Sequence, residues 1–415
     1  MSKRRVNNND ISKTIKATDF RNGVWHVKSQ SRPGVVYRVV YESNNCSCTC
    51  TNFRLHKPDW CKHILGVHDF VRVHPDMAPA GAIPVPVGKL RDWSKYHERR
   101  ESEIEYIQSM FVELCRPITT PRTSTRGGRP RVPVADVLYA LVLRTYLKLP
   151  CRRLSKVLKA MLAQAQAARH ISRVPGASSI QAYLGAEWME SLLTELIITT
   201  SYPLRFVETV VAVDCSGFGI PKSQPYHNRK TGSEDKEIGW KRAHAMCGVR
   251  SGIITAAIVT GSHVHESTHL PELLDVTCQR FKVKEVLADS GFSSVRNLEF
   301  IVEKGADPYI DFKGSVTGAT PGVWREEFIY YTNHRSTWEE HYRKRRMIET
   351  VWGAIKERFG EPVRSKSDKA AENEVLLKLL CYNLCCLIRC ADEYGIEVDF
   401  HRSDRNGWLA TTSPA

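Results

Sequence analysis

Between Val207 and Phe312 the order of short segments leaves few folds open. Val207 to Val213 has the apolar character of a buried strand and runs into Asp214-Cys215-Ser216-Gly217, where the glycine predicts a tight exit. Arg242 to Val249 and Ile253 to Val259 predict two more strands about the turn Arg250-Ser251-Gly252. A helix from near Ser267 carries Leu270, Leu273 and Leu274. Then come a strand, Val283 to Ala288, ending at Asp289-Ser290-Gly291, a helix from Ser293 to Lys304 and a strand from Asp307 to Phe312. A helix from Tyr342 to Lys356 closes the series. The order β, β, β, α, β, α, β, α predicts an α/β domain, a mixed sheet flanked by helices.

In such sheets chemistry gathers at the carboxyl ends of strands. Asp214 and Asp289 are each expected at such an end. The closing helix adds Glu349, on a stripe with Tyr342, Arg345, Trp352 and Lys356 at steps of three and four. The neighbouring stripe, Ile348, Val351, Ile355 and Phe359, gives that helix a face to bury. Taken alone, the polar stripe equally describes a surface helix laced by ion pairs such as Arg345 with Glu349. Three carboxylates from three elements repel one another unless cations lie between them. Mg2+ suits such a set, and two ions about 4 Å apart activate a nucleophile and stabilise the leaving oxygen of a phosphodiester.

The charge balance favours a polyanionic partner. Lysine and arginine number 60 against 45 acidic residues, a formal +15, which suits phosphate neutralisation and counterion release. No apolar run reaches about 18 residues, and Met1 to Asp10 is basic and polar without an apolar h-region, so neither a membrane nor secretion is expected. Thirteen cysteines then point to a reducing cytoplasm and to metal binding rather than a disulfide framework.

Residues 21 to 42 alternate in the strand manner about Pro33-Gly34 and predict a β-hairpin. It leads into Cys46, Cys48, Cys50 and Phe53, then Trp60-Cys61-Lys62-His63-Ile64, with His68 beyond. Two sulfurs one residue apart, followed by a cysteine and a histidine one residue apart, can close a tetrahedral Cys3His zinc site. A module of this size needs its metal to fold. Met77 to Lys89 has a linker's composition, and Tyr96 to Leu114 predicts an amphipathic helix. Arg116 to Arg131 is a basic strap, placed either along phosphates or in solvent. Residues 133 to 197 are helical, broken at Pro150 and Pro175-Gly176, and permit a helix-turn-helix beside ordinary helix packing. Val375 to Ile388, with Cys381, Cys385 and Cys386, reads as a buried helix, and His401 to Ala415 as a disordered tail.

Two resemblances draw these segments together. Cys48-x-Cys50-x-x-Phe53, a loop, then Cys61-Lys62-His63-Ile64 resembles the SWIM-type zinc finger. That likeness selects Cys48, Cys50, Cys61 and His63 as zinc ligands over the substitutes Cys46 and His68, and implies a module that binds DNA or protein. Asp214-Cys215-Ser216, Ala288-Asp289-Ser290-Gly291-Phe292 and Tyr342-x2-Arg345-x3-Glu349-x6-Lys356 resemble the prokaryotic insertion-sequence DDE transposases with the Tyr-Arg-Glu-Lys signature. Trp240 to His244, His265 to Leu274 and Gly128-Arg129-Pro130 are similar to flanking segments of that group, so the likeness spans roughly residues 128 to 387.

This second resemblance implies a ribonuclease H-like core and a DNA transposase that cuts transposon ends and transfers 3′-hydroxyls into target DNA. Asp214, Asp289 and Glu349 would be catalytic and hold two Mg2+ (or Mn2+) ions. Arg345 and Lys356 would contact phosphates, and Tyr342 would pack on a sugar or base, while Trp352 is assigned to packing. The implied partners are double-stranded DNA and a second copy of the chain, as a homodimer or higher oligomer, in a prokaryotic cytoplasm at the nucleoid. The expected domains are 1–75 (zinc module), 76–132 (linker, helix and strap), 133–204 (helical, DNA-binding), 205–365 (catalytic core) and 366–415 (closing helix and tail). Glu266 departs from the group, whose members often carry aspartate there, and the interval from Phe312 to Tyr342 is too short for the large β-rich insert of some members. Two alternatives stand beside this reading: another ribonuclease H-like nuclease such as a resolvase, and a domesticated DNA-binding regulator with an idle core.

Overall fold

The computed structural model describes residues 15–19, 23–29, 34–41, 46–51, 61, 63–64, 66–67, 70, 97–98, 101–120, 131–163, 171–220, 240–261, 264–314, 316–394, 396 and 398–400. The expectations placed on 1–10, Phe53, Trp60, His68, the linker 77–89, the strap residues 121–130 and the tail 401–415 lie outside the described residues. There are two compact units, one of residues 1–91 together with 392–395 and one of residues 92–391 together with 396–415.

In the first unit the expected hairpin is the middle of a four-stranded antiparallel sheet. Its strands, in spatial and chain order, are β1 (Ile15–Asp19), β2 (Val24–Lys28), β3 (Val36–Val40) and β4 (Ser47–Cys48). Alternation turns Trp25, Val27, Val39 and Tyr41 inward, where they pack with Cys48, Cys50, Cys61, Ile64 and Val67. The cysteines therefore belong to the small core itself.

The second unit opens with α1 (Glu103–Cys115), α2 (Val134–Tyr146), α3 (Cys151–Ala163), α4 (Ala177–Leu184) and α5 (Trp188–Ser201). The sheet follows as β5 (Val210–Gly219), β6 (Trp240–Gly248), β7 (Ile254–Gly261), β8 (Glu285–Ala288) and β9 (Asp307–Ile310). Its spatial order is β7-β6-β5-β8-β9. β6 pairs antiparallel with both neighbours, whereas β5–β8 and β8–β9 are parallel. Numbered within the sheet, this is 3-2-1-4-5 with only the second strand reversed, the ribonuclease H-like arrangement. On one face α6 (Leu270–Cys278) and α7 (Val295–Glu303) bury Val211, Val213, Met246 and Val286. Two helices fill the interval before the closing segment, α8 (Val323–Asn333) and α9 (Arg335–Tyr342), and α10 (Arg346–Phe359) packs on β5.

α11 (Asp368–Tyr394) ties the early helices to the sheet through buried polar side chains. Asn383 Oδ1 accepts from Ile254 N–H at 2.9 Å while its Nδ2 donates to Ile254 O (2.8 Å) and Thr200 Oγ1 (3.0 Å). Lys378 Nζ donates to the carbonyls of Gly360, Glu361 and Pro362, which would otherwise be orphaned past the end of α10. Cys381, Cys385, Cys386 and Cys390 are buried in this helix.

Two expectations are corrected. Asp214 does not end its strand, because β5 begins at Val210 and pairs with β6 as far as Gly219 opposite Trp240. Gly217 is no exit: a Cβ there would lie 3.1 Å from the indole of Trp240, which rests over Gly217 and Gly219 and is 45% exposed. Nor is Tyr342 to Lys356 one helix. Tyr342 ends α9, Arg343–Arg345 form a 3-10 turn, and α10 begins at Arg346. Four consecutive cations stand there, and no residue from Glu339 to Met347 is buried to hold an α-helical face against the core.

Candidate active site and metal cluster

In the first unit β4 and the segment 61–63 bring the sulfurs of Cys48, Cys50 and Cys61 and a ring nitrogen of His63 within 4.8 Å of one another. His63 Nδ1 lies 3.8 Å from both Cys48 Sγ and Cys61 Sγ, close to the edge of about 3.6 Å expected for a zinc tetrahedron with ordinary Zn–S and Zn–N bonds. All four residues are buried, and Tyr37 packs on the His63 ring with centroids 4.6 Å apart. The hydrogen bond between the two sulfurs raises the Cys48 thiol and holds that of Cys61 low, so the pair shares one proton. Cys46 is half-buried and outside the cluster. Donor type, spacing and burial all fit zinc.

In the second unit the parallel register sets the acidic site. Ala212 pairs with Leu287, the end of the ladder, and two residues further along each chain come Asp214, still within β5, and Asp289, just past the end of β8, at neighbouring positions. β8 ends at Ala288, and Asp289 caps the next turn by accepting from Gly291 N–H at 2.8 Å. Burial pushes the Asp214 carboxyl up to about 6, and the charges of Asp289 and Glu266 add to the rise. The 3-10 turn Arg343–Arg345 packs on both β5 and β8. Burial works against the Arg345 cation, yet the charges of Tyr342, Glu349, Asp214 and Asp289 outweigh it and hold it above the usual arginine value.

Glu349 is not drawn in with the two aspartates. Its carboxylate is ion-paired with Arg345 and 53% exposed, whereas Arg345 is only 17% exposed. Among the described residues the Cys3His set is the one group of three or more metal-type donors drawn together. The aspartates nonetheless fit a hard cation. They are adjacent, partly desolvated oxygens, and the positive charge now facing them is a guanidinium that also faces Glu349.

Around this centre Trp338 stacks on Tyr342 at 4.5 Å, and the Arg345 guanidinium lies 5.7 Å from the Tyr342 ring. Lys356 pairs with Glu361 at 3.4 Å and lies 5.7 Å from the Phe218 ring, on the strand that carries Asp214. Trp352 is buried against Phe218, in keeping with packing. His244 is fully buried, with Nε2 2.9 Å from Thr260 Oγ1, and burial followed by the neighbouring His269 lowers it to about 4. His265 caps the 266–269 turn by accepting from Ser267 N–H.

Glu266 was missed by sequence reasoning as a member of the site. Its Oε1 stands where a side chain on residue 291 would begin, and Asp289 Oδ1 lies 2.9 Å from that same point. Gly291 is thus the signal, a residue whose missing Cβ leaves room for a carboxylate.

Residues 205–384 match the family described as transposase DDE domain, and residues 37–67 match the SWIM zinc finger. No curated protein matches the chain in sequence. Among solved structures, a cryo-EM structure of a piggyBac transposase synaptic complex with hairpin DNA is similar at 10% identity and a TM-score of 0.34, over 71% of this chain and 76% of that one. A likeness that low carries no weight for fold or function. One match falls on the sheet that holds Asp214 and Asp289 and the other on the Cys3His cluster, so the chain carries a stretch similar to the transposase DDE domain and an N-terminal stretch similar to the SWIM zinc finger.

Proposed function

We propose that the protein cleaves DNA at the ends of a mobile element and joins the freed 3′-hydroxyls to target DNA, with Asp214, Asp289 and Glu349 as its catalytic carboxylates. The observation that carries this reading is the neighbouring placement of Asp214 and Asp289 beneath Arg345. These carboxylates would hold Mg2+ or Mn2+, two ions in all. When bound, the ions supply Lewis-acid stabilisation of the nucleophile and leaving group.

The chain's own residues do the remaining work. Arg345 and Lys356 bind backbone phosphates near the cut, the first through a planar fork and the second as a point charge. Tyr342, braced by Trp338, packs on a sugar or base. Glu349 joins the aspartates when phosphate draws Arg345 away from it. Cys48, Cys50, Cys61 and His63 hold zinc that folds the N-terminal module. The protein works in the cytoplasm at the nucleoid, as a dimer or larger assembly on double-stranded DNA. No helix among the described residues is long and apolar enough to cross a membrane.

The test is a strand-transfer assay with duplexes carrying the element's inverted repeats, in Mg2+ or Mn2+. Cleavage followed by joining supports the reading. Cleavage without joining would reassign the protein to resolvase-type nucleases, and neither activity would leave a DNA-binding protein with an idle core.

A further inference from the structure

Two acidic turns meet at the edge of the sheet, and a buried amide holds them together. Glu266 opens the 3-10 turn Glu266–His269 that leads into α6, and Asp289 caps the turn Ser290–Phe292 that follows β8. Asn297, on α7 and 2% exposed, donates through Nδ2 to Ser267 O and Ser267 Oγ, each at 3.0 Å, and to Phe292 O at 2.9 Å. One side chain thus ties both turns at once. Each turn is also closed on itself: Thr268 Oγ1 donates to His265 O at 2.7 Å, and Gly291 N–H donates to Asp289 Oδ1 at 2.8 Å.

The carboxylates that this staple brings together share one small space. A Cβ on Gly291 would collide with Glu266 Oε1 and lie 2.9 Å from Asp289 Oδ1, so both oxygens border the room that the glycine leaves open. Glu266 and Asp289 are each half-buried, and the Glu266 charge reaches Asp214 as well. Among the described residues no cation pairs with Glu266 and no donor hydrogen-bonds its carboxylate. An acidic side chain ahead of a helix gains up to about 1 kcal/mol from the macrodipole, but it gains that facing solvent, and a second carboxylate at close quarters takes it away. A fold that clamps two like charges together with a buried amide, and omits the side chain that would part them, is arranged for a cation between them. A pair is enough for a hard ion, because Mg2+ binds through one or two carboxylates and fills the rest of its octahedron with water and substrate phosphate.

We infer that Glu266 is a fourth carboxylate of the acidic site and holds a divalent cation together with Asp289, the bare backbone of Gly291 leaving room for the two oxygens to meet it. The inference rests on the transposase reading for the kind of ion, and adds to it a metal-binding group that the set Asp214, Asp289 and Glu349 does not contain.

The experiment titrates Mn2+ into full-length, zinc-loaded, DNA-free protein and counts the bound ions by electron paramagnetic resonance. Asp289→Asn, run in parallel, marks which of them belong to this site. Glu266→Gln is expected to weaken that binding at least about 10-fold, the lower end of the scale for groups that tune a metal site, and Glu266→Asp, which keeps the charge, to restore part of it. Before metal is added, Glu266→Gln should melt above wild type at pH 7.5, because a repulsion is gone, and should gain less from added Mn2+. A purely structural carboxylate would do the reverse. Gly291→Ala keeps every charge but closes the space, so weaker Mn2+ binding there separates ligation from charge acting at a distance. Wild-type affinity in Glu266→Gln or in Gly291→Ala overturns the inference, and so does a wild-type protein with no bound Mn2+ that Asp289→Asn removes. Strand transfer is scored separately. A protein that binds Mn2+ through Glu266 yet never cleaves would sink the proposed function alone, whereas one that cleaves and joins, with Mn2+ binding undisturbed in Glu266→Gln, would sink this inference alone.

Discussion

The two metal-type sites differ in how nearly complete they are without metal. In the zinc module four donors converge within 4.8 Å and are buried in the unit's own small core. In the second unit the strand register brings Asp214 and Asp289 together, while Glu349, the third carboxylate of the proposed site, is held by Arg345. Soft sulfur and imidazole donors lose little by being buried neutral or sharing a proton, so the chain can gather them in advance. Ionised carboxylates repel and resist desolvation, so a rigid sheet spaces two of them and an arginine stands guard over the rest. Under the proposed function, one site is arranged for its metal to complete a fold and the other for metal and DNA to arrive together.

The largest effect that would break this contrast is on catalysis. Asp289→Asn should lower end cleavage in Mg2+ by at least about 10²-fold, the scale for removing one electrostatic group from an active site, with zinc content and melting temperature little changed. Cleavage at the wild-type rate would remove the acidic site from the mechanism. Next is Cys61→Ser, which should strip zinc and open the first unit. Metal analysis and the exposure of Trp25 to a fluorescence quencher check this, since a structural zinc site of this kind contributes about 10 kcal/mol or more to folding. Retained zinc with a quenching-resistant Trp25 would count against the Cys3His assignment.

Smaller effects sharpen the contrast at Arg345 and Asp214. Arg345→Gln should tighten Mn2+ binding to DNA-free protein several-fold, read by electron paramagnetic resonance, because it removes a cation competing for the same carboxylates. An unchanged or weaker affinity would show that Arg345 does not hold the site's charge in the metal's absence. The smallest shift is thermal. The native value of Asp214 is raised to about 6, above that of an unfolded aspartate, so its ionisation costs stability. The cost is absent near pH 4, grows as pH rises to about 6 and is full above that. In metal-free protein Asp214→Asn should therefore melt a few degrees higher at pH 7.5 and equal to wild type near pH 4. A lower melting point at both values would contradict the desolvation argument.

Much of the sheet was legible because β5 and β7 carry β-branched runs, Val210 to Val213 and Ile254 to Thr260, and the other strands are short segments between clear turns. Asp214 and Asp289 could be picked out by their small neighbours, although Asp214 was misplaced at a strand end. Only the pairing of β5 with β6 reveals where β5 stops, and a non-local ladder is not written in a single strand's composition. The break at Arg343–Arg345 was hidden for a related reason. A periodicity of three and four survives a single tighter turn, so Tyr342, Arg345 and Glu349 still kept helical spacing. Glu266 could not be found by spacing at all, since it meets Asp289 through the empty side of Gly291. α8 and α9 were likewise unforeseen, because they are polar helices whose buried anchors, Trp324 and Trp338, pack onto the distant Phe312 and Tyr309.

The indole of Trp240 gives the catalytic strand pair an optical handle. It lies over two glycines of β5 with nearly half its surface in solvent, while Trp25, Trp338 and Trp352 are buried. Its contribution to the emission is isolated by subtracting the spectrum of a Trp240→Phe protein. Because the ring touches bare backbone, any tilt of β5 moves the fluorophore directly, and the DNA loading proposed for this site can be followed in real time without a dye.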